Sequence, residues 1–280
     1  MSSSTLTTAS FVLGSILAFV AGCHQERKVV PDPVPTSGRP VTTVAVASRP
    51  ELVKPPPPPP VAVERVRVPG DMAASVIRPL DANPPHIVFL PGICSNALGY
   101  VQAFGETARA HGGVVALDGD QPCGSSKDFH SFSWDAGRQH ARIEAAFAAA
   151  GMSEIPAGGI TIVGYSQGAS IAEQLVQRWP ERYTRVVLIG APTDPRPQRF
   201  LHARGVVTMS CSLDVSGRMR EAARKINTAG VPSTFVEMPG CRHGQVAEGE
   251  RVFSEAFDFL DDHSRPAAAG STAVPISGVL

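Results

Sequence analysis

A series of short, nearly uninterrupted apolar runs limits this chain more than any other feature. They are His86–Leu90 (HIVFL), Val114–Leu117 (VVAL), Ile160–Val163 (ITIV), Val186–Ile189 (VVLI), Val206–Met209 (VVTM) and Thr234–Met238 (TFVEM). Runs of this length, rich in Val and Ile, predict strands buried on both faces, as in parallel sheets. Parallel strands need crossover connections, and stripes of helical period separate most of the runs. Ile143, Phe147 and Ala150 form one stripe. Ile171, Ala172, Leu175, Val176 and Trp179 form a second, stopped by Pro180. Met219, Ala222, Ala223 and Ile226 form a third, and Val252, Phe253, Ala256, Phe257 and Leu260 a fourth. Strands alternating with helices imply an α/β fold. Ahead of them, Val61–Val68 (VAVERVRV) alternates with period two and predicts a half-buried strand, with Ala73–Pro79 as its hairpin partner.

The two ends read differently. Phe11–Ala21 (FVLGSILAFVA) is an apolar stretch of signal-peptide length, short for a membrane span. It runs into Val20-Ala21-Gly22-Cys23, which resembles a bacterial lipobox. Residues 1–22 are therefore expected to be a lipoprotein-type signal peptide, and Cys23 the lipidated residue. An ordinary signal peptide, an uncleaved anchor or a misplaced start codon are the competing readings, and residues 1–10 carry no Lys or Arg. His24 in place of an aspartate favours the outer membrane. Residues 23–60 contain many prolines and end in Pro55–Pro60, so they predict an extended, semi-rigid tether. Residues 264–280 lack periodicity and are expected to be a disordered tail. The folded domain is bounded at 61–263. Lys+Arg and Asp+Glu stand at 25 each, so nothing here suggests a nucleic-acid partner.

Gly164-Tyr165-Ser166-Gln167-Gly168 lies where an apolar run meets a helical stripe. A serine hydroxyl becomes a nucleophile only when a base takes its proton. It must also protrude where base and substrate both reach it. A tight strand-to-helix turn meets that need, with glycines where a Cβ would clash. The turn also aims the N-terminus of the following helix at the serine, so the N–H of Gln167 faces a developing oxyanion. The base is expected at His243, in a glycine-flanked loop after the last strand run. Asp214, just past the preceding run, is the expected carboxylate, with Asp194 as the alternative. A second oxyanion donor is expected from the loop after HIVFL: the N–H of Ile93, with Cys94 as runner-up.

These motifs are similar to those of the α/β-hydrolase superfamily over about His86 to Leu260. VFLPGI matches the oxyanion loop, IVGYSQGAS the nucleophile elbow, RVVLIGAP the following strand, SLD the acid and RHG the histidine. The resemblance implies a mostly parallel sheet of about eight strands with helices on both faces. It implies no large cap domain, because the Pro192–Gly205 segment is short where many relatives insert a lid. It also implies acyl transfer through a Ser166 ester, with His243 as base and then acid and Asp214 orienting it. The amides of Ile93 and Gln167 would form the oxyanion hole. On that fold, Cys94 and Cys123 follow neighbouring strands, as do Cys211 and Cys241, so bridges Cys94–Cys123 and Cys211–Cys241 are expected after export.

The leading expectation is a monomeric carboxylic-ester hydrolase at the cell envelope, acting on a small-molecule or lipid ester and held to the membrane by its lipid anchor. A serine peptidase or acyltransferase of the same fold is the alternative within enzymes. A non-catalytic binding module is the alternative outside them. No cofactor or metal is expected, since neither metal-ligand spacing nor a phosphate loop is visible. Phe129, Phe132 and Trp134 are candidates for an acyl pocket, or for packing ahead of a helix.

Overall fold

The computed structural model describes residues 61–264, except 153, 155 and 157. The expected signal peptide, lipidation site Cys23 and tether lie outside the described residues, as does the expected tail beyond Ser264. Among the described residues no helix is long and apolar enough to cross a membrane.

Every strand expected from the apolar runs forms. The eight-stranded sheet has the order β1-β2-β4-β3-β7-β8-β9-β10. β1 (Glu64–Val66) and β2 (Ala74–Ile77) make the antiparallel hairpin at one edge. β2 pairs antiparallel with β4 (Val114–Ala116). The rest is parallel: β3 (Ile87–Leu90), β7 (Ile160–Tyr165), β8 (Tyr183–Ile189), β9 (Gly205–Cys211) and β10 (Ser233–Met238). Alternation decides which face each residue joins. On β3, Val88 and Leu90 pack into one core and Ile87 and Phe89 into the other, and all four are buried.

The two faces carry different helices. α3 (Ala136–Ala149), α4 (Gln167–Arg178) and α5 (Ser216–Thr228) cover one face, through Ile143, Leu175 and Ile226 among others. The other face is covered by α6 (Gly249–Ser264) together with α1 (Ala97–Val101), a 3-10 turn (Gln102–Phe104) and α2 (Gly105–Ala110). Phe104 and Phe253 stack with ring centres 3.8 Å apart to join these two groups. Neither α1 nor α2 was expected from the sequence. Their buried stripe is Ala97, Val101, Phe104 and Ala108, but Gly99 and Gly105 interrupt it and weaken the helical signal. Asn96 caps α1 by accepting from the Gly99 N–H, and Asp118 at the end of β4 accepts from the Ala97 N–H at 2.7 Å.

A small hairpin, β5 (Gln121–Pro122) with β6 (His130–Ser131), was also unforeseen. It leans on the loop after β3 through a reciprocal pair of backbone hydrogen bonds between Ser95 and His130. Between β8 and β9 the chain makes only a 3-10 turn, Pro197–Arg199, so no cap domain is inserted there. This arrangement leaves the loops at the carboxyl ends of the parallel strands facing outward, where ligands of open α/β sheets bind.

Candidate active site

Ser166 stands at the junction of β7 and α4 with φ 51° and ψ −112°. Positive φ is rare for a residue with a Cβ and marks a strained turn. The flanking glycines follow from close approach. A Cβ on Gly164 would lie 2.4 Å from the Gly168 carbonyl oxygen, and one on Gly168 would lie 2.1 Å from the Leu90 oxygen. Strand, turn and helix are thus packed backbone to backbone, with Ser166 on the turn between them, 8% exposed. The loop after β3 lies directly against it. Gly168 N–H donates to the Pro91 carbonyl at 3.1 Å, and a Cβ on Gly92 would meet the Ser166 Cβ at 3.3 Å.

Three distant side chains meet here. His243 Nε2 is 2.9 Å from Ser166 Oγ, and His243 Nδ1 is 2.7 Å from Asp214 Oδ2. The imidazole is half exposed, while the Asp214 carboxylate is largely covered. Asp194, the alternative acid, is elsewhere: its carboxylate is 73% exposed and lies 3.8 Å from the Arg218 guanidinium. Gln167 follows Ser166 in the chain, and Ile93 follows Gly92, the position that lies against the Ser166 Cβ. Gln167 opens α4, so its N–H belongs to the helix end that lacks internal acceptors.

Both expected disulfides form, Cys94–Cys123 and Cys211–Cys241. The second joins the turn that carries Asp214 to the loop that carries His243. Hydrogen bonds run alongside it: Leu213 N–H donates to the Cys241 carbonyl at 3.1 Å, and Gly240 N–H to Ser212 Oγ at 2.9 Å. The two bridges fit an oxidising, extracytoplasmic compartment.

Several contributing groups were invisible to sequence reasoning. Tyr165 Oη accepts from the Gly244 N–H at 2.7 Å and donates to the Gln245 carbonyl at 3.3 Å. Its ring also meets the imidazole edge-on, with centres 5.5 Å apart. Burial pushes this phenol up to about 12, so it stays protonated and able to donate. Gly190, with φ +52°, passes under the acid–imidazole pair, where a Cβ would lie 3.1 Å from Asp214 Oδ2 and 3.3 Å from the His243 ring. The Gln167 side chain turns toward Phe132. Its oxygen accepts from Phe132 N–H and its amide donates to the Phe132 carbonyl, both at 2.9 Å.

The three aromatic candidates separate. Phe132 is buried in the core, the packing alternative of the two, and the Gln167 side chain holds its backbone there. Trp134 is exposed, at 59%. Phe129 lines a cleft with Cys94, Tyr100 and Gly244, the residue after His243. Among the described residues, no group of three or more His, Cys, Asp or Glu side chains is placed to hold a metal ion.

No protein-family model matches the chain, and no curated protein matches its sequence. Solved structures do match. A CIB-like hydrolase from Thermoplasma acidophilum superposes with a TM-score of 0.53 at 16% identity, covering 72% of this chain and 98% of that one. A hyperthermophilic esterase from the archaeon Pyrobaculum calidifontis gives 0.52 at 17% identity, covering 73% and 86%. A membrane phospholipase A, a bacterial virulence factor, gives 0.51 at 16% identity, covering 73% and 87%. Strand order, helices on both faces and these superpositions lead to one architectural conclusion: the chain has the α/β-hydrolase fold.

Proposed function

We propose that this protein is a serine hydrolase that cleaves a carboxylic ester through an acyl-enzyme at Ser166. The unbroken hydrogen-bonded line from Asp214 through His243 to Ser166 is the observation that carries the reading. His243 Nε2 takes the hydroxyl proton as Ser166 Oγ attacks the ester carbonyl. Asp214 holds Nδ1–H and stabilises the imidazolium. The N–H groups of Ile93 and Gln167 receive the oxyanion. Collapse of the tetrahedral adduct breaks the bond to the leaving oxygen, which takes the proton from His243. Water, deprotonated by the same imidazole, then releases the acid and restores Ser166.

A half-exposed imidazole favours hydrolysis, because water reaches it without displacing a lid. The likeness to an esterase and a phospholipase supports an ester, of a small molecule or a lipid, as the substrate class. We place the protein in the cell envelope as a monomer anchored by lipidated Cys23 through the 23–60 tether. The lipobox-like VAGC and the two disulfides support that location. Fluorophosphonate labelling of purified protein tests the chemistry. Wild type should label and Ser166→Ala should not; an unlabelled wild type would favour a binding module instead.

A further inference from the structure

An open cleft next to the His243 loop has a volume of about 440 Å3, within the range of roughly 300–1,000 Å3 for small-molecule sites. It is bounded by the end of the loop after β3 (Cys94, Ser95, Asn96), by Tyr100 on α1, by Phe129, and by Gly244 next to the imidazole. Its polar groups are already committed. Ser95 Oγ donates to the Gly92 carbonyl at 2.6 Å, and Tyr100 Oη donates to the Gly244 carbonyl at 3.1 Å. The Asn96 amide is shared between the Gly99 N–H at 3.2 Å and the Asp128 carbonyl at 3.4 Å. No Asp, Glu, Lys or Arg side chain lines the cleft. Burial raises the Tyr100 pKa, which keeps that phenol neutral as well.

We infer that this cleft holds the alcohol half of the ester and favours an uncharged alcohol. The inference rests on the ester-cleaving reading of Ser166. Two arguments carry it. First, His243 gives its proton to the departing oxygen, so the alcohol must leave on the imidazole's side of Ser166, and Gly244 brings the cleft wall to that side. Second, a charged group in this solvent-open cleft gains no counter-charge, because no ionic side chain lines it. The apolar face of Phe129 instead rewards an aliphatic or aromatic alcohol.

The structure also supplies a way to fill the cleft. A Cβ on Gly99 meets no atom within 4 Å, and its φ lies outside the left-handed region, so a side chain there projects into open space. Two acetates of matched shape provide the test: neutral 3,3-dimethylbutyl acetate and cationic acetylcholine. Wild type should prefer the neutral ester in kcat/KM by about tenfold or more. Gly99→Asp, which puts a carboxylate in the cleft, should narrow or invert that ratio. Gly99→Phe should lower kcat/KM for 3,3-dimethylbutyl acetate about tenfold more than for methyl acetate. It should keep the wild-type ratio of methyl hexanoate to methyl acetate. Thermal melting verifies that both variants fold, and an unfolded variant is replaced by Gly99→Ser and Gly99→Leu, read the same way. Equal turnover of the matched pair by wild type overturns the inference. So does a Gly99→Phe effect confined to the acyl series, which would make the cleft an acyl pocket. An enzyme that labels with fluorophosphonate yet ignores both acetates also overturns it, since either alcohol fits by size. Absence of both labelling and turnover would instead sink the ester-cleaving reading on which it rests.

Discussion

Cys94–Cys123 and Cys211–Cys241 span 29 and 30 residues, so they constrain the unfolded chain almost equally. On the chain-entropy argument each contributes about 3.6 kcal/mol at 25 °C. Removing either pair should therefore lower Tm by a similar amount, roughly 7–14 °C for a domain of this size at about 2–4 °C per kcal/mol. Their positions, however, predict different kinetics. Cys211 and Cys241 lie three and two residues from Asp214 and His243, and both sulfurs are buried. Without the bridge, the acid turn and the histidine loop are joined only by hydrogen bonds: backbone ones, the Ser212 hydroxyl and the Asp214–His243 pair itself. A shift on the order of 1 Å between catalytic groups costs up to about 100-fold in rate, so kcat should fall about 10- to 100-fold with KM little changed. Cys94 lines the cleft and Cys123 holds the β5–β6 loop that carries Phe129. Breaking that bridge should raise KM for a bulky alcohol more than it lowers kcat. The experiment compares the double variants Cys211→Ala/Cys241→Ala and Cys94→Ala/Cys123→Ala. Alanine avoids burying a new hydroxyl. Melting curves and initial rates are taken well below both transitions. Equal kcat losses in the two variants, or a loss only in the Cys94–Cys123 variant, would refute the reasoning.

Asp214→Asn should lower kcat by about 1,000- to 10,000-fold by stabilising the wrong tautomer, while Asp194→Asn should stay within a few-fold of wild type; the reverse ranking in steady-state rates would remove Asp214 from the mechanism. Tyr165→Phe deletes two hydrogen bonds to the histidine loop, together about 1–2 kcal/mol, and should cut kcat about 5- to 30-fold with little change in KM. Burial, helped by Arg185, holds the His86 pKa below its ordinary 6.5. The unfolded state then binds more protons, so this group's stabilisation is present above about pH 6.5 and is lost as pH falls below it. His140 shifts in the same direction and His111 in the opposite one, so the readout is a difference: His86→Gln should lose less Tm than wild type between pH 7.5 and 5.5.

The sheet was legible because strands buried on both faces leave continuous apolar runs that no helix boundary blurs. Ser166, Asp214 and His243 were legible for a related reason, since each follows the end of such a run. What stayed hidden depends on contacts between residues far apart in the chain. Tyr100 reaches Gly244 across 144 residues, and Gln167 reaches Phe132 across 35. The glutamine after the nucleophile drew notice for its backbone N–H, whereas its side chain serves as a brace for the neighbouring loop. Phe129 and Phe132 have similar local surroundings in the sequence, and only the clamp on the Phe132 backbone decides that one packs inward and the other faces the cleft.

The positive φ at Ser166 sets endurance against activity at one position. A backbone of that shape costs a residue with a side chain about 1–3 kcal/mol, and glycine would relieve most of it. A population of variants sorted only for resistance to heat should thus drift toward Ser166→Gly, gaining ruggedness by discarding its own nucleophile.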